Sequence, residues 1–520
     1  MMRKLIILIM GMILLVVSVS GFDYVTCPPD CNGRSWIGEP YPNQLEGYTD
    51  TYGLEITRIT DDNVDKVKPV YPNGVVSVEN SDGTLFSATK SSVPTSGWAI
   101  FTTADGQYRC SLGNSGNGFV GGSKGWWSAT DPNVIYWVHG SNSKLYKSTI
   151  NRTSWIISSV ELYNFSAYPA FSGVWKVVVS DEHNPSWDMR YWALMVKYSG
   201  VDDSENSATY LALFDKDASG VDVPGGGQIL GYYELPNHNC FAAGMSPEGN
   251  YIFYRCGSDD CAPDGQCDIA WGINNFNGVV SIDDGFILAN QISPHFTVGV
   301  DTQGNEVMVH TYSGSGEDYM DLCMWKFNNP GNENKINIAD ISNWRLDSEG
   351  MADTHYVSAG RSEEARSWVA LVPTDSTSGD ECGYENDLKA TITFVRLSEE
   401  NLLWRVAHTR SDATAYSSQC FAGGEFSGDY YYFSNNWCGT EIEQTFRIEL
   451  PTINNGYATN WYEDLSGNIT NYHDADLDHD LVINRTEIDS YVQRWKGDMA
   501  LSLSDIIKAI GIWKAGGTYS

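Results

Sequence analysis

Short apolar runs separated by tight turns recur along most of this chain. The clearest unit runs from Asn237 to Cys256, NHNCFAAGMSPEGNYIFYRC, and it reads as a strand, a Pro-Glu-Gly-Asn turn and a second strand. The second strand is rich in aromatic and β-branched residues, which favour sheets. Similar units begin at His295 and Gln419. The pattern therefore predicts a body made of repeated β-hairpins.

The repeat has a nearly constant length. Successive turns are about 50 to 63 residues apart, and they lie near Gly83, Asn133, Met189, Gly249, Gly304, Ala365 and Gly428. Further strand-like runs between the turns bring each unit to about four strands, which is typical of one propeller blade. We predict an all-β fold, a seven-bladed β-propeller over residues 52–452. A tandem of β-sandwiches is the alternative, and the constant spacing favours the propeller.

The last unit is one strand short. After the strand that begins at Thr445, the chain reaches Pro451 and a polar linker. The segment Tyr52–Thr60, YGLEITRIT, precedes the first unit and has a strand-like pattern. We expect it to join the last blade and close the ring, because closure removes an open sheet edge.

The N-terminus has the pattern of a secretory signal peptide. Residues 1–21 combine Arg3 and Lys4 with a long apolar run and the small residues Ser18, Ser20 and Gly21. An uncleaved membrane anchor is the alternative. We assign residues 22–51 to an N-terminal extension. The mature chain is expected to be secreted, extracellular or associated with the cell surface, with no transmembrane span.

Composition agrees with a folded, exported protein and limits its partners. Hydrophobic residues make up 42% of the chain, which is enough for a large core. The formal net charge is −34, so phosphate is repelled and nucleic acid is not an expected partner. The same charge disfavours polyanionic glycans unless a cation mediates the contact. Solubility or adaptation to a salty habitat also explains the acidity.

The eleven cysteines favour disulfides over metal ligation, because the chain is expected to be exported. Cys240 and Cys256 flank one hairpin, and Cys420 and Cys438 flank the last one in nearly the same register. Cys261 and Cys267 could close a small loop, and the cysteines without an obvious partner are Cys110, Cys323 and Cys382.

Four N-glycosylation sequons begin at Asn151, Asn164, Asn468 and Asn484.

After a linker over residues 453–473, the segment DADLDHDLVINRTEI has the spacing of a calcium-binding EF-hand loop. Oxygen ligands fall at loop positions 1, 3, 5, 7, 9 and 12, which are the positions that Ca²⁺ uses in such loops. The predicted ligands are Asp476, Asp478, Asp480, the carbonyl of Val482, Asn484 and Glu487. Leu481 stands where glycine is expected. A solvated acidic turn is the alternative.

Two short helices are predicted after this loop, since apolar residues recur at helical spacing with an internal period of 18 residues. Trp495-Lys496 in the first copy matches Trp513-Lys514 in the second. Residues 474–520 resemble a dockerin, in the archaeal form that has one intact calcium loop. The resemblance implies binding to a cohesin-like domain or a surface scaffold. A calcium-stabilised stalk without a partner is the alternative.

One set of polar residues is placed to meet in the ring. His295, His355 and Gln419 each precede a turn by about nine or ten residues, where the innermost strand of a blade begins. Cys240 has this position in the preceding unit, and His238 lies two residues upstream. Nitrogen and oxygen ligands from four consecutive blades could hold a divalent metal ion. Ordinary polar packing is the alternative.

The sequence MSPEGNYIFY resembles exported propellers of the TolB and WD40-like class, and the set His238, His295, His355 and Gln419 resembles the metal site of oligogalacturonate lyases. The second resemblance implies a metal-dependent elimination from uronate polysaccharides, in which Arg361 could help to bind a carboxylate. No residue of this sequence is assigned as the base of that elimination.

We therefore expect an exported, calcium-binding propeller that recognises a glycan, polysaccharide, glycoprotein or other protein and is tethered by its dockerin-like module. A metal-dependent uronate lyase and a structural component of the cell envelope are the alternatives, so the sequence leaves open whether the protein is an enzyme. The expected cofactors are Ca²⁺ and a second divalent ion in the ring.

Overall fold

The structure is a computed structural model, and it describes most of the predicted ring but not the two ends of the chain. The described residues are 41–50, 54–60, 67–69, 78–90, 97–111, 124–139, 143–172, 174–178, 185–198, 209–218, 226–235, 240–256, 267–290, 292–312, 321–339, 354–358, 365–373, 391–399, 403–410, 422–424, 429–437 and 443–450. The predicted signal peptide, the linker and the calcium-binding module with its two helices lie outside these residues.

The described residues form seven sheets, and four of them are built from strands that follow one another in the chain without interruption. The chain starts with β1 (Gly47–Thr49) and β2 (Glu55–Arg58), which belong to the last blade. Blade 1 contains β3 (Val67–Pro69), β4 (Leu85–Lys90), β5 (Gly97–Thr102) and β6 (Tyr108–Ser111). Blade 2 contains β7 (Lys124–Trp127), β8 (Val134–Val138), β9 (Lys144–Asn151) and β10 (Ile156–Asn164). Blade 3 contains β11 (Val174–Val178), β12 (Tyr191–Tyr198), β13 (Tyr210–Asp215) and β14 (Gln228–Glu234).

The remaining blades repeat the same antiparallel order. Blade 4 contains β15 (Cys240–Met245), β16 (Tyr251–Cys256), β17 (Cys267–Gly272) and β19 (Phe286–Asn290), and its strand β18 (Gly278–Val280) crosses over to pair in parallel with β14. Blade 5 contains β20 (Ile292–Val300), β21 (Glu306–Tyr312), β22 (Leu322–Lys326) and β23 (Ile336–Ala339). Blade 6 contains β24 (Thr354–Ser358), β25 (Trp368–Pro373), β26 (Thr391–Arg396) and β27 (Leu403–His408). Blade 7 contains β28 (Ala422–Gly424), β29 (Tyr430–Asn435) and β30 (Gln444–Glu449), together with β2 and β1. Short 3-10 helices lie at Phe165–Ala167, Pro169–Phe171, Ile282–Asp284, Asn332–Asn334 and Ala365–Ser367.

The predicted closure of the ring is confirmed. β2 pairs with β30 so that Ile56 lies opposite Ile448, and β1 adds a fifth strand that the repeat pattern did not predict. The N-terminal segment thus completes a sheet whose other strands come from the far end of the propeller. β2 covers the edge of β30 that the last unit would otherwise leave open, which explains why a strand so distant in sequence is used there.

The core lies between neighbouring blades rather than inside each one. Side chains alternate between the two faces of a strand, so each sheet presents apolar residues to the blade on either side. The aromatic pair Phe253 and Phe296, for example, joins blades 4 and 5 with ring centroids 5.7 Å apart. Similar apolar clusters join the other neighbouring blades. Within the described part of the chain, no helix is long and apolar enough to cross a membrane.

A buried ionic contact holds the closing segment in place. The carboxylate of Asp50, which follows β1, accepts a hydrogen bond from Nδ1 of His408 at 2.9 Å and one from Nη2 of Arg410 at 3.3 Å. The Arg410 guanidinium also lies over the rings of Tyr48 and Trp437. Burial alone would raise the pKa of Asp50, but the hydrogen bond and charge of His408 and the charge of Arg410 hold it at about 2. The ionised form of Asp50 therefore stabilises ring closure.

We predict that this contact is lost in acid. Because the folded-state pKa of Asp50 lies below the ordinary value of 3.8, its contribution is present above pH 3.8 and is lost as the pH falls towards 2. The difference in unfolding free energy between the native protein and Asp50→Asn should fall by about 2 kcal/mol across this range. Urea unfolding at several pH values measures it. A difference that stays constant from pH 6 to pH 2 would contradict this role.

Candidate metal and glycan site at the channel mouth

The candidate site lies where the inner strands of the blades begin. The first strand of each blade is the innermost one and runs into a turn at the opposite face of the ring, as the repeat predicted. We call the starting ends of β15, β20, β24 and β28 the channel mouth. These four strands belong to consecutive blades, and β24 contacts both β20 and β28.

The backbone places two of the predicted ligands at the channel mouth. His295 lies near the start of β20, and His355 is the second residue of β24 in the next blade. The pairing of β20 with β21 is interrupted just before Phe296, because its register shifts between Ile292 and Phe296. His295 therefore lies in a bulge of the inner strand. Bulges re-aim side chains and are frequent next to functional sites.

The other two predicted ligands lie outside the described residues, as do the side chains of His295 and His355. His238 is two residues before β15, which begins at Cys240, and Gln419 is three residues before β28, which begins at Ala422. In the sequence, all four positions thus lie near the start of an inner strand of blades 4 to 7 or within three residues before it. Whether their side chains converge on one ion remains a prediction, and Arg361 also lies outside the described residues.

Directly beside the bulge of β20, blades 4 and 5 share a buried ionic cluster. Arg255 on β16 donates from Nε to Oδ1 of Asp268 on β17 at 3.2 Å, and Nε2 of His310 on β21 lies 2.7 Å from Oδ2 of Asp268. Nη2 of Arg255 lies 3.0 Å from Nδ1 of His310. The short contact at Nε2 fits an N–H that donates to the Asp268 carboxylate. We call these three residues the Arg255 cluster.

The charge state of the Arg255 cluster follows from its surroundings. All three side chains are at most 1% exposed, and burial alone would raise the pKa of Asp268. The charges of Arg255 and His310 outweigh burial and lower this pKa, so the carboxylate is ionised at neutral pH. Its oxygens are taken by these partners. Among the described residues, no group of three or more His, Cys, Asp or Glu side chains could hold a metal ion.

The Arg255 cluster supports the residue next to His295. The guanidinium of Arg255 lies 3.9 Å from the centre of the Phe296 ring, and the ring of His310 stacks on the same phenyl at 5.0 Å. Phe296 is fully buried. The backbone that follows the bulge is thus held by a charged cluster and an aromatic stack. His310 thus has a structural role.

Sequence reasoning did not identify the Arg255 cluster, although a signal was present. Arg255 is the fifth residue of β16 and His310 is the fifth residue of β21, so the two have equivalent positions in neighbouring blades. Aligning the repeats on their turns would have shown a cation and an imidazole in one register. Asp268 could not have been found this way, because its role depends on contacts across strands and between blades.

The described cysteines partly match the expectation. Cys240 lies opposite Cys256, and Cys256 lies opposite Cys267, which is disulfide-bonded. Cys110 has a free thiol, and burial raises its pKa to about 11. The other cysteines of the predicted pairs have side chains outside the described residues, so the pairing scheme remains a prediction: Cys240, Cys256, Cys261, Cys420 and Cys438.

Comparison with known proteins indicates similarity at the level of the fold. No protein-family model and no curated protein matches the chain. An oligogalacturonate lyase from Vibrio parahaemolyticus aligns with 11% identity and a TM-score of 0.49, covering 79% of this chain and 98% of that chain. An oligogalacturonate lyase in complex with manganese aligns with 11% identity and a TM-score of 0.48, covering 80% and 98%. Hydrazine synthase from Kuenenia stuttgartiensis aligns with 9% identity and a TM-score of 0.38, covering 74% and 96%. At these values no activity is transferred to this chain.

Proposed function

We propose that the propeller binds an acidic, uronate-containing polysaccharide at its channel mouth through a divalent metal ion. The observation that carries this proposal is the position of the four candidate ligands. His295 and His355 lie near the starts of the inner strands of adjacent blades, and His238 and Gln419 precede the inner strands on either side in the sequence. Four donors from four consecutive blades would then meet at one end of the ring.

The chemistry of these donors fits a divalent transition metal. Imidazole nitrogens suit ions such as Zn²⁺, and an amide oxygen can complete the set of ligands. The ion would also solve an electrostatic problem. A chain with a formal net charge of −34 repels a polyanionic sugar, and a cation at the binding site counteracts that repulsion locally.

The rest of the proposed site is built from this chain's own residues. The bulge of β20 would set the direction of the His295 side chain, and Phe296 would fix that bulge by packing against the Arg255 cluster. The role of His295 would be to bind, and the role of Phe296 and Arg255 would be to position it. A rigid support of this kind keeps a binding group close to its productive geometry.

Polysaccharide binding tests this proposal. Native protein should be retarded by polygalacturonate in affinity electrophoresis with Mn²⁺, and EDTA should abolish the retardation. Thr302→Ala is a matched control, because Thr302 is exposed in the turn at the opposite end of the same hairpin. It should behave like the native protein. Equal migration with and without polygalacturonate, in the presence of Mn²⁺, would refute cation-dependent binding.

A uronate lyase is the second candidate, and the bulged position of His295 favours it because bulges are frequent next to catalytic sites. A bound ion would draw electron density from a uronate carboxylate and acidify the adjacent C–H. The chain would have to supply a base for that proton, and Arg361 could bind the carboxylate. Release of unsaturated uronate, followed by ultraviolet absorbance, distinguishes the two candidates. Metal-dependent binding without this product would leave a recognition module.

We further propose that the C-terminal residues 474–520 tether the protein to a cohesin-like domain or a surface scaffold outside the cell. The spacing of oxygen ligands from Asp476 to Glu487 supports a calcium-dependent fold for this module. The polar linker that precedes this module would let the propeller and the module move independently of each other. The proposal thus places an acidic-glycan binder on an extracellular assembly.

Calcium removal tests the tether. Chelation should lower the helical circular dichroism of the native protein, because the loop ligands repel one another without Ca²⁺ and the two predicted helices lose their anchor. Asp476→Ala should show the low value with or without Ca²⁺. The Asp283→Ala variant, which changes an exposed acid of the ring, should respond like the native protein. A native spectrum that does not change on chelation would rule out a calcium-dependent module.

A further inference from the structure

The outer hairpin of blade 2 presents an asparagine at its tip. Asn151 ends β9 and is exposed, and its Oδ1 accepts hydrogen bonds from the backbone N–H of Thr153 at 2.9 Å and of Ser154 at 3.1 Å. Both bonds use the oxygen, which leaves the amide nitrogen available. The tip is also anchored, because Arg152 forms a 2.9 Å ion pair with Asp82 of the neighbouring blade.

The tip carries the sequence Asn151-Arg152-Thr153, which is an acceptor motif for N-linked glycans. Thr153 is exposed as well. The second such motif among the described residues is more enclosed. Asn164 is half-buried, and the hydroxyl of Ser166 donates a 2.7 Å hydrogen bond back to its Oδ1. Asn151 is therefore the more accessible acceptor of the two.

The strand opposite this asparagine exposes apolar side chains. Ile156 is the direct cross-strand neighbour of Asn151 and is 64% exposed, and Val160 is 57% exposed on the same face of β10. β10 is the last strand of its sheet, and no described strand pairs with its outer edge. Exposed apolar residues on an open edge strand favour pairing with other chains unless something covers them.

We propose that Asn151 is N-glycosylated and that its glycan covers the Ile156–Val160 face of β10. The reaction joins Nδ2 of Asn151 to the anomeric carbon of an oligosaccharide carried on a lipid pyrophosphate. The bond between that carbon and the phosphate oxygen breaks, the lipid pyrophosphate leaves with the electron pair, and the amide proton passes to a base of the transferase. Modification requires export of the chain, which the N-terminal pattern predicts. It does not depend on the proposed function of the channel mouth.

Peptide mass spectrometry of the protein secreted by its native host tests the modification. The peptide with Asn151 should carry one glycan, which Asn151→Gln and Thr153→Ala should both remove. Thr153→Ser keeps the hydroxyl of the motif and should keep the glycan. An unmodified Asn151 in the secreted native protein would overturn the proposal.

Self-association tests the covering role. Secreted Asn151→Gln should form more oligomers than native protein at the same concentration, as measured by light scattering. Adding Ile156→Thr to that variant should restore the native state, because threonine keeps the strand preference and removes the apolar surface. If Asn151→Gln and native protein scatter equally, the glycan does not protect this edge. Equal scattering of Asn151→Gln with and without Ile156→Thr would show that Ile156 is not the surface it covers.

Discussion

Asp268→Ala is expected to lower the free energy of unfolding by about 3–5 kcal/mol, because it leaves the Arg255 guanidinium buried without its counter-ion. Arg255 is 1% exposed, so water cannot replace the lost carboxylate. The substitution should also disturb the structure of the channel mouth, because Arg255 packs on Phe296 beside the bulge of β20. Urea unfolding followed by tryptophan fluorescence measures the loss.

Two control variants separate charge burial from packing. Asp283→Ala removes an exposed acid of the same blade and should change stability by less than about 0.5 kcal/mol. Replacing the whole cluster, with Arg255→Met, Asp268→Leu and His310→Leu together, should cost less than Asp268→Ala alone, because no unpaired charge stays buried. If the triple variant is the least stable, then the cluster contributes net stability as an ion pair and this account of it is wrong.

His295→Ala and His355→Ala are each expected to weaken binding of Mn²⁺ to the ring by more than about 100-fold. Loss of a group that only supports a metal ligand costs 10- to 100-fold in affinity, so loss of the ligand itself should cost more. Competition with a fluorescent chelator measures the affinity, and Asp476→Ala is included in every variant so that the calcium loop does not contribute.

Two controls show whether the weaker Mn²⁺ binding is specific to the histidines. Thr302→Ala should bind Mn²⁺ like the native ring, since Thr302 lies in the turn at the far end of the β20–β21 hairpin. Unchanged unfolding midpoints should accompany the weakened binding, because the histidines are expected to act as ligands and not as core residues. Native affinity in both histidine variants would remove His295 and His355 from the site.

The architecture of the ring could be predicted because each blade repeats a local pattern. The tight turn at Gly249, which has a φ of +78°, and the apolar strand from Tyr251 onward specify one hairpin, and the near-constant spacing specifies how many follow. The closing role of β2 followed from counting strands. The strand β1 and the crossing of β18 to blade 3 could not be predicted, because short strands of this kind are stabilised by the sheets they join.

The candidate site was only partly predictable. Position before a turn placed His295 and His355 at the starts of their inner strands, because the register of a blade follows from its turn. The Arg255 cluster and the contact between Asp50 and His408 were missed. Each brings together residues that are distant in sequence and belong to different blades, and no local pattern encodes such a pairing.

The metal content of the purified protein tests the central claim, a metal site at the channel mouth, most directly. The Asp476→Ala protein, dialysed against Mn²⁺ and then freed of unbound metal by gel filtration, should retain one Mn²⁺ per chain in elemental analysis. The same protein with His295→Ala and His355→Ala should retain none. Equal metal content in the two proteins, whether one ion or none, would contradict a metal site at the channel mouth.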